Sequence, residues 1–163
     1  MYHLTQETHD DWHEVEYLFD LAFAPGRSAL SSYRLRDGVD PVAELCIVAR
    51  DDDGILGGAV RVWPVRIGIA AAPALLLGPI AVHPTRQGEG LGGQLMAHVM
   101  DRAVKTGWSR IMLIGDAPYY GRFGFRRLEQ VIFPPPTNPE RILGQELIPG
   151  AFAGITGHVG KYI

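Results

Sequence analysis

The run Thr-Arg-Gln-Gly-Glu-Gly-Leu-Gly-Gly-Gln-Leu, residues 85–95, places four glycines within six positions. Without a Cβ, a glycine backbone can approach a bound group closely and aim successive N–H groups at one point. The run opens into GLGGQLMAHVMDRAVKTG, whose apolar spacing is helical, so the loop feeds a helix N-terminus. Unpaired N–H groups and the positive dipole end favour an anion there. Phosphate binding is the chemistry these residues suit. A glycine-rich turn holding no ligand is the plain alternative, and so many glycines at a helix entry are costly unless something needs them.

Two patterns fit the same letters. Gly88, Gly90 and Gly93 satisfy G-x-G-x-x-G, and Gln87 starts Q-x-x-G-x-G. A dinucleotide-binding unit runs its strand straight into the first glycine and usually opens its domain. Here His-Pro-Thr-Arg-Gln separates the strand end at Val82 from Gly88, and about half the chain precedes the unit. Asp116 stands near the place of the downstream acid, so that criterion does not separate the two. A P-loop is excluded, because no Gly-Lys-Ser/Thr follows.

The elements that position this loop can be read from periodicity. YHLTQ is a first short strand. HDDWHEVEYLFDLAFAPG is a helix with Trp12, Val15, Leu18, Phe19 and Phe23 on one face and Pro25-Gly26 as its stop. A second short helix covers SALSSYRLRDG. PVAELCIVARDDDGILGGAVRVWPV is a hairpin turning at DDDG, and APALLLGPIAV is a further strand. On the long helix Leu91, Leu95, Met96, Val99 and Val104 share a face, and Gly107 ends it. SRIMLIG is a buried strand. DAPYYGRFGF is a short helix running into the strand FRRLEQVIF, residues 134–139 form a loop, and GAFAGITGHVGKYI supplies a last strand. The expected fold is α/β with a mixed sheet of six or seven strands in one domain, 1–163, holding one right-handed βαβ unit.

Pro79 sharpens this picture. Proline cannot donate to a sheet ladder, which implies an edge or a bulge. A strand feeding a phosphate loop should be central. Both hold if this strand parts from its neighbour, the one at 109–114, near its C-terminal end. That leaves unpaired backbone groups in a cleft, able to bond an amide-bearing ligand.

Composition narrows the class further. The chain has 163 residues, 47% hydrophobic and 20% charged, enough for a real core. A net charge of −3 and no basic run longer than Arg126-Arg127 argue against nucleic acid. The lone Cys46 excludes an internal disulfide and a multi-cysteine zinc site, and its apolar setting reads as a buried, inert thiol. Residues 67–82 form the longest nearly uncharged run; broken by Pro73 and Pro79, it falls short of the roughly 20 residues of a membrane span. No export signal marks the N-terminus, so a cytoplasmic location with no membrane partner is expected.

LGPIAVHPTRQGEGLGGQLM resembles motif A of the GNAT superfamily of N-acetyltransferases, and LIGDAPYYGRFGF resembles a later segment of its bacterial YhbS-like group. The resemblance implies acetyl transfer from acetyl-CoA to a primary amine in a ternary complex, without a metal, on a sheet with two parallel strands splayed apart. It implies that Ile80, Ala81 and Val82 pair with the pantetheine amides. Gln87, Gly88, Glu89, Gly90, Leu91, Gly92 and Gly93 then wrap the pyrophosphate. The Tyr before the terminal Gly-Phe, here Tyr120, lies near the thioester sulfur and can protonate the leaving thiolate; otherwise it is an aromatic packing a helix onto the sheet. Tyr119, about 100° further round the helix, should point elsewhere. Many relatives carry an Asn seven residues before the tyrosine, where this chain has Leu113. Asp116 fits a helix cap with Pro118 in the first turn.

His83, Glu44 and Asp116 are the nearby candidates for a base, with solvent as the alternative. Arg86, Arg122 and Arg126 can neutralise coenzyme phosphates or simply be solvated charges. The acceptor is a small-molecule or peptide amine, and a homodimer is one open assembly. A catalytically silent acyl-CoA-binding sensor or interaction module of the same fold is the alternative function.

Overall fold

The computed structural model describes residues 1–23, 27 and 30–163. The expected Pro25-Gly26 stop lies outside the described residues. The elements in chain order are β1 (His3–Gln6), α1 (Trp12–Ala22), α2 (Ser31–Arg34), β2 (Ile47–Arg50), β3 (Leu56–Ile67), β4 (Ala72–Val82), α3 (Leu91–Lys105), β5 (Arg110–Ile114), α4 (Ala117–Gly121), β6 (Arg126–Arg127), β7 (Val131–Ile132), β8 (Ile142–Glu146) and β9 (Gly157–Lys161). Strands order as β1-β2-β3-β4-β5-β8-β6, and β9 joins β3 to β7.

The sheet is mixed. β4 and β5 run parallel, as do β7 and β9, and the remaining pairs are antiparallel. A parallel pair needs a crossover, and α3 provides it. The β4–β5 pairing is short: only Leu75–Ile111 and Leu76–Met112 are in register. Beyond them β4 continues to Val82 on β3 alone. The β3–β4 register steps from Val62 opposite Leu77 to Val60 opposite Ile80, so β4 carries one extra residue at Gly78–Pro79. The expected bulge and the expected splay are the same event, at the residue that lacks an N–H.

Both faces of this region are packed. α3 buries Leu91, Leu95, Met96 and Val99 against Leu75, Leu77, Ile111 and Leu113. α1 buries Val15, Leu18 and Phe19 against Val48, Ala59 and Ala81 on a separate cluster. Each such side chain contributes roughly 1.5–3 kcal/mol through burial.

Some expectations need correcting. Ala103, not Val104, completes the buried face of α3; Val104 is 48% exposed. At 100° per residue, position 103 lies about 40° from Val99 and 104 about 140°. Trp12 is also exposed, because it begins α1 ahead of the buried stripe. FRRLEQVIF is two two-residue strands: β6 pairs β8 and β7 pairs β9, with a turn at Glu129–Gln130 between them. β8, Ile142–Glu146, was not expected, and it covers the side of β5 away from β4. The described strands number nine in place of six or seven. Of the second short helix, four residues are helical within the described part.

Candidate active site

The glycine loop is held from outside the site. His83 caps a short 3-10 turn, Pro84–Arg86, its Nδ1 accepting from the Thr85 N–H at 3.2 Å. Arg86 Nη2 donates to Asp51 Oδ2 at 2.8 Å, and Tyr2 Oη donates to Glu89 Oε1 at 2.6 Å. That last bond draws the Glu89 side chain outward and pushes the Tyr2 phenol above its ordinary range. Gly90 forms the N-cap of α3 at φ +77°, a conformation that suits glycine. A Cβ built there meets nothing within 4 Å, so the space in front of the loop is open.

That space is a cavity of about 620 Å³, walled by the splayed end of β4 (Ile80, Ala81, Val82), the loop and α3 start, and Arg122. Gln87, Gly88, Gly90, Leu91, Gly92 and Gly93 all border it. Leu91 contributes main chain only, because its side chain is buried in the core. Glu89 does not border it. An open cradle of main-chain donors at a helix N-terminus, beside unpaired strand edge, fits a pyrophosphate followed by an amide-bearing arm.

A second cavity, about 350 Å³, begins where the first ends; Ile80, Tyr119 and Tyr120 border both. Its walls are the bulge at Gly78–Pro79, the end of β5 at Leu113–Gly115, the segment Tyr33–Arg36, and Arg141. The β4–β5 splay thus opens onto two chambers joined at Tyr120.

Tyr120 is fixed by close approach. Its ring lies directly over Gly115, where any Cβ would collide with it. Phe125 meets it edge-on at 6.2 Å between centroids. Burial, with lesser contributions from Tyr119 and Asp116, raises the phenol above its ordinary range, while Arg141 opposes this. The hydroxyl therefore keeps its proton at neutral pH.

Tyr119 does not point away. Its hydroxyl lies 2.9 Å from the position a Gly92 Cβ would occupy, and Arg122 stacks on its ring at 4.7 Å. Helix α4 is only five residues long and sits across the cleft mouth, so residues 100° apart both reach it. Asp116 caps α4, its carboxylate accepting from the Tyr119 N–H at 3.1 Å, as its place before Pro118 suggests.

The candidate bases are not gathered. His83 is engaged as a cap, and neither His83 nor Glu44 borders either cavity. Among the described residues, Asp116 is the one carboxylate on the walls of the second cavity. Arg86 and Arg122 border the first cavity, but Arg86 is ion-paired to Asp51; Arg126 borders neither. Cys46 is buried, and burial pushes its thiol up to about 11. Tyr2, Asp51 and Arg36 went unread in the sequence, since nothing local distinguishes them from surface residues. No described helix is long and apolar enough to cross a membrane.

Comparison with known proteins agrees with this geometry. Residues 43–127 match the family model for the acetyltransferase (GNAT) domain. The uncharacterized N-acetyltransferase YhbS of Escherichia coli strain K12 is 30% identical over 111 residues, 68% of this chain and 65% of the relative, so the match spans just under two thirds of that protein. Among solved structures, Escherichia coli YhbS in complex with CoA superposes with a TM-score of 0.85 at 26% identity, covering 99% of this chain and 89% of the other. A GNAT family acetyltransferase from Brucella melitensis in complex with acetyl-CoA gives a TM-score of 0.74 at 25% identity, covering 99% and 96%. The strand–loop–helix unit, the splay and the tyrosine after it all fall inside the matched region, and the chain belongs to the GNAT acetyltransferase family.

Proposed function

We propose that the protein is an acetyl-CoA-dependent N-acetyltransferase acting by direct transfer between coenzyme and amine held together in the joined cavities. The observation carrying this is the early divergence of β4 from β5 immediately before the glycine loop. It yields a phosphate cradle, an unpaired strand edge and an acceptor chamber in one line. Relatives solved with CoA and acetyl-CoA support the choice of ligand.

Acetyl-CoA supplies an acetyl thioester; transfer to an amine makes one N–C bond, breaks one C–S bond, delivers a proton to sulfur and removes one from nitrogen. The chain's residues do the rest. Backbone N–H groups of Gln87, Gly88, Gly90, Leu91, Gly92 and Gly93 hold the pyrophosphate, with Arg122 beside it. Glu89, absent from the cavity wall with its side chain bonded to Tyr2, leaves these contacts to its neighbours. Ile80, Ala81 and Val82 present the strand edge to the pantetheine amides. The bulge at Gly78–Pro79 leaves space beside the reacting carbonyl. Tyr120 gives its proton to the departing sulfur.

Two effects of these residues would lower the barrier. Holding two reactants in alignment can supply up to about 7–11 kcal/mol of barrier reduction. A positioned acid adds about 10²–10⁴-fold. A dedicated base is not required, provided the amine enters neutral and solvent takes its proton.

The test is binding followed by turnover. Acetyl-CoA should raise Tm, since a ligand bound only by the native state stabilises it, and NAD at equal concentration should not. Thiol release across a panel of amines should then exceed the rate of coenzyme hydrolysis. A Tm rise with NAD and none with acetyl-CoA would reverse the assignment.

A further inference from the structure

The acceptor chamber has an uneven charge balance. Arg27 is neutralised: Nη2 donates to Glu16 at 2.9 Å and Nε to Asp20 at 2.8 Å. Arg61, buried nearby, is held by Glu7 and Glu16. Arg36 is different. Its guanidinium carbon lies over the Tyr33 ring at 3.8 Å and over the Trp63 ring at 4.6 Å from the centroids. Among the described residues it has no carboxylate within ion-pair distance, and its Nε is buried without a hydrogen-bond partner. Arg141 stands on the same chamber's wall and also has no ion pair among the described residues.

A guanidinium stacked on aromatic rings binds further polar groups along its planar edge. That edge carries N–H donors in a fixed fork, whose natural partner is an oxyanion with two oxygens, a carboxylate or a phosphate. Among the described residues the Arg36 Nε is left without a partner, and a buried unmatched donor retains its desolvation penalty. Burial, and to a lesser degree the Arg27 and Arg61 charges, hold the Arg36 guanidinium below its ordinary range, so an anion beside it would favour its charged form. A compact chamber of about 350 Å³ suits a small acceptor more than a bulky one.

We infer that the acceptor is a small amine carrying an oxyanion in the same molecule, with Arg36 as the anion's anchor and Arg141 as a second, solvent-side cation. This rests on the acetyltransferase reading above. The anchoring fixes the amine's approach to the transfer point at Tyr120 and rejects neutral amines, for which the buried Nε stays unmatched. Arg36 is a specificity-determining residue and takes no proton.

The experiment uses the intact protein with matched amine pairs: 4-aminobutyrate against 4-aminobutanamide, and phosphoethanolamine against ethanolamine. Turnover is read by thiol release. Binding is read by calorimetry on the CoA-loaded protein with the N-acetylated form of each compound. The anionic member of at least one pair should show kcat/KM or affinity about tenfold or more above its neutral partner. A carboxylate-only or phosphate-only preference identifies which oxyanion is used. In Arg36→Gln that ratio should collapse toward one through KM, with the acetyl-CoA Tm shift kept, and Arg36→Lys should restore part of it. Should Arg36→Gln fail to fold, the wild-type ratios and Arg36→Lys still decide. Equal use of both members, a preference that survives in Arg36→Gln, or no binding of any anionic compound overturns the inference. If acetyl-CoA itself fails to bind, the acetyltransferase reading falls instead.

Discussion

The two chambers that meet at Tyr120 are built in opposite ways. The larger cavity comes chiefly from one run, Ile80 to Gly93, which offers mostly main chain, with Tyr119, Tyr120 and Arg122 closing it. The acceptor side gathers side chains from the region of α2, the β4 bulge, the end of β5 and Arg141, segments far apart in sequence. Main-chain recognition depends on local backbone conformation, which glycine and proline control directly. Side-chain recognition depends on how distant elements dock. The first chamber is therefore a property of a motif, and the second a property of the fold. Different substitutions should damage them separately.

The largest expected effect is on the main-chain side. Gly90→Val places a β-branched residue at φ +77°, costing about 1–2 kcal/mol, and fills the open space before the loop. The acetyl-CoA-dependent rise in Tm should vanish while far-UV circular dichroism is retained. Persistent coenzyme binding in a folded variant would place the phosphate site elsewhere.

Next is the seam itself. Tyr120→Phe keeps the ring over Gly115 and removes the hydroxyl. Both kcat and kcat/KM should fall together by about 10²-fold, with the coenzyme Kd little changed. Because burial raises this pKa, the acid stays loaded through neutral pH. The wild-type rate should fall only at pH beyond the ordinary tyrosine range, and that alkaline limb should be missing in Tyr120→Phe. Equal rates in both proteins would make Tyr120 a packing residue.

A smaller effect should separate the chambers by stability. Glu16 bridges Arg27 and Arg61, tying α1 to β3 and the acceptor wall. Glu16→Gln leaves two guanidinium groups facing each other and should cost on the order of 2 kcal/mol, a Tm drop of about 4–8 °C. Acceptor KM should rise, while the Tm increment from acetyl-CoA stays as in wild type. A lost increment would mean the chambers are coupled.

The smallest is Tyr119→Phe. With its hydroxyl beside Gly92, Tyr119 belongs to the coenzyme side of the seam. Loss of one hydrogen-bonding group should raise the acetyl-CoA KM about two- to tenfold and move kcat less. A change in acceptor KM alone would assign it to the other chamber.

The same contrast governs what was legible beforehand. Four glycines before a helical repeat marked the loop that enters α3, and Pro79 marked the break in β4, because each alters backbone geometry where it stands. Apolar periodicity placed α3, β4 and β5 almost to the residue. It failed at Val104, where one step round the helix changes the environment, and at β8, whose Ile142–Glu146 run is too short and mixed to stand out.

By itself, then, the sequence determined the elements around the loop, the glycine turn at the helix entry and the point where the central strands part. These follow from φ, ψ and hydrogen-bonding capacity within a few residues. Tertiary structure alone decided which side chains share a chamber. It brought Tyr119 onto Gly92, tied Glu89 to Tyr2, and set Arg36 against Tyr33 and Trp63 with its buried Nε unpartnered among the described residues. Those outcomes depend on sheet register and helix docking, and contacts across tens of residues leave no local trace in composition or spacing.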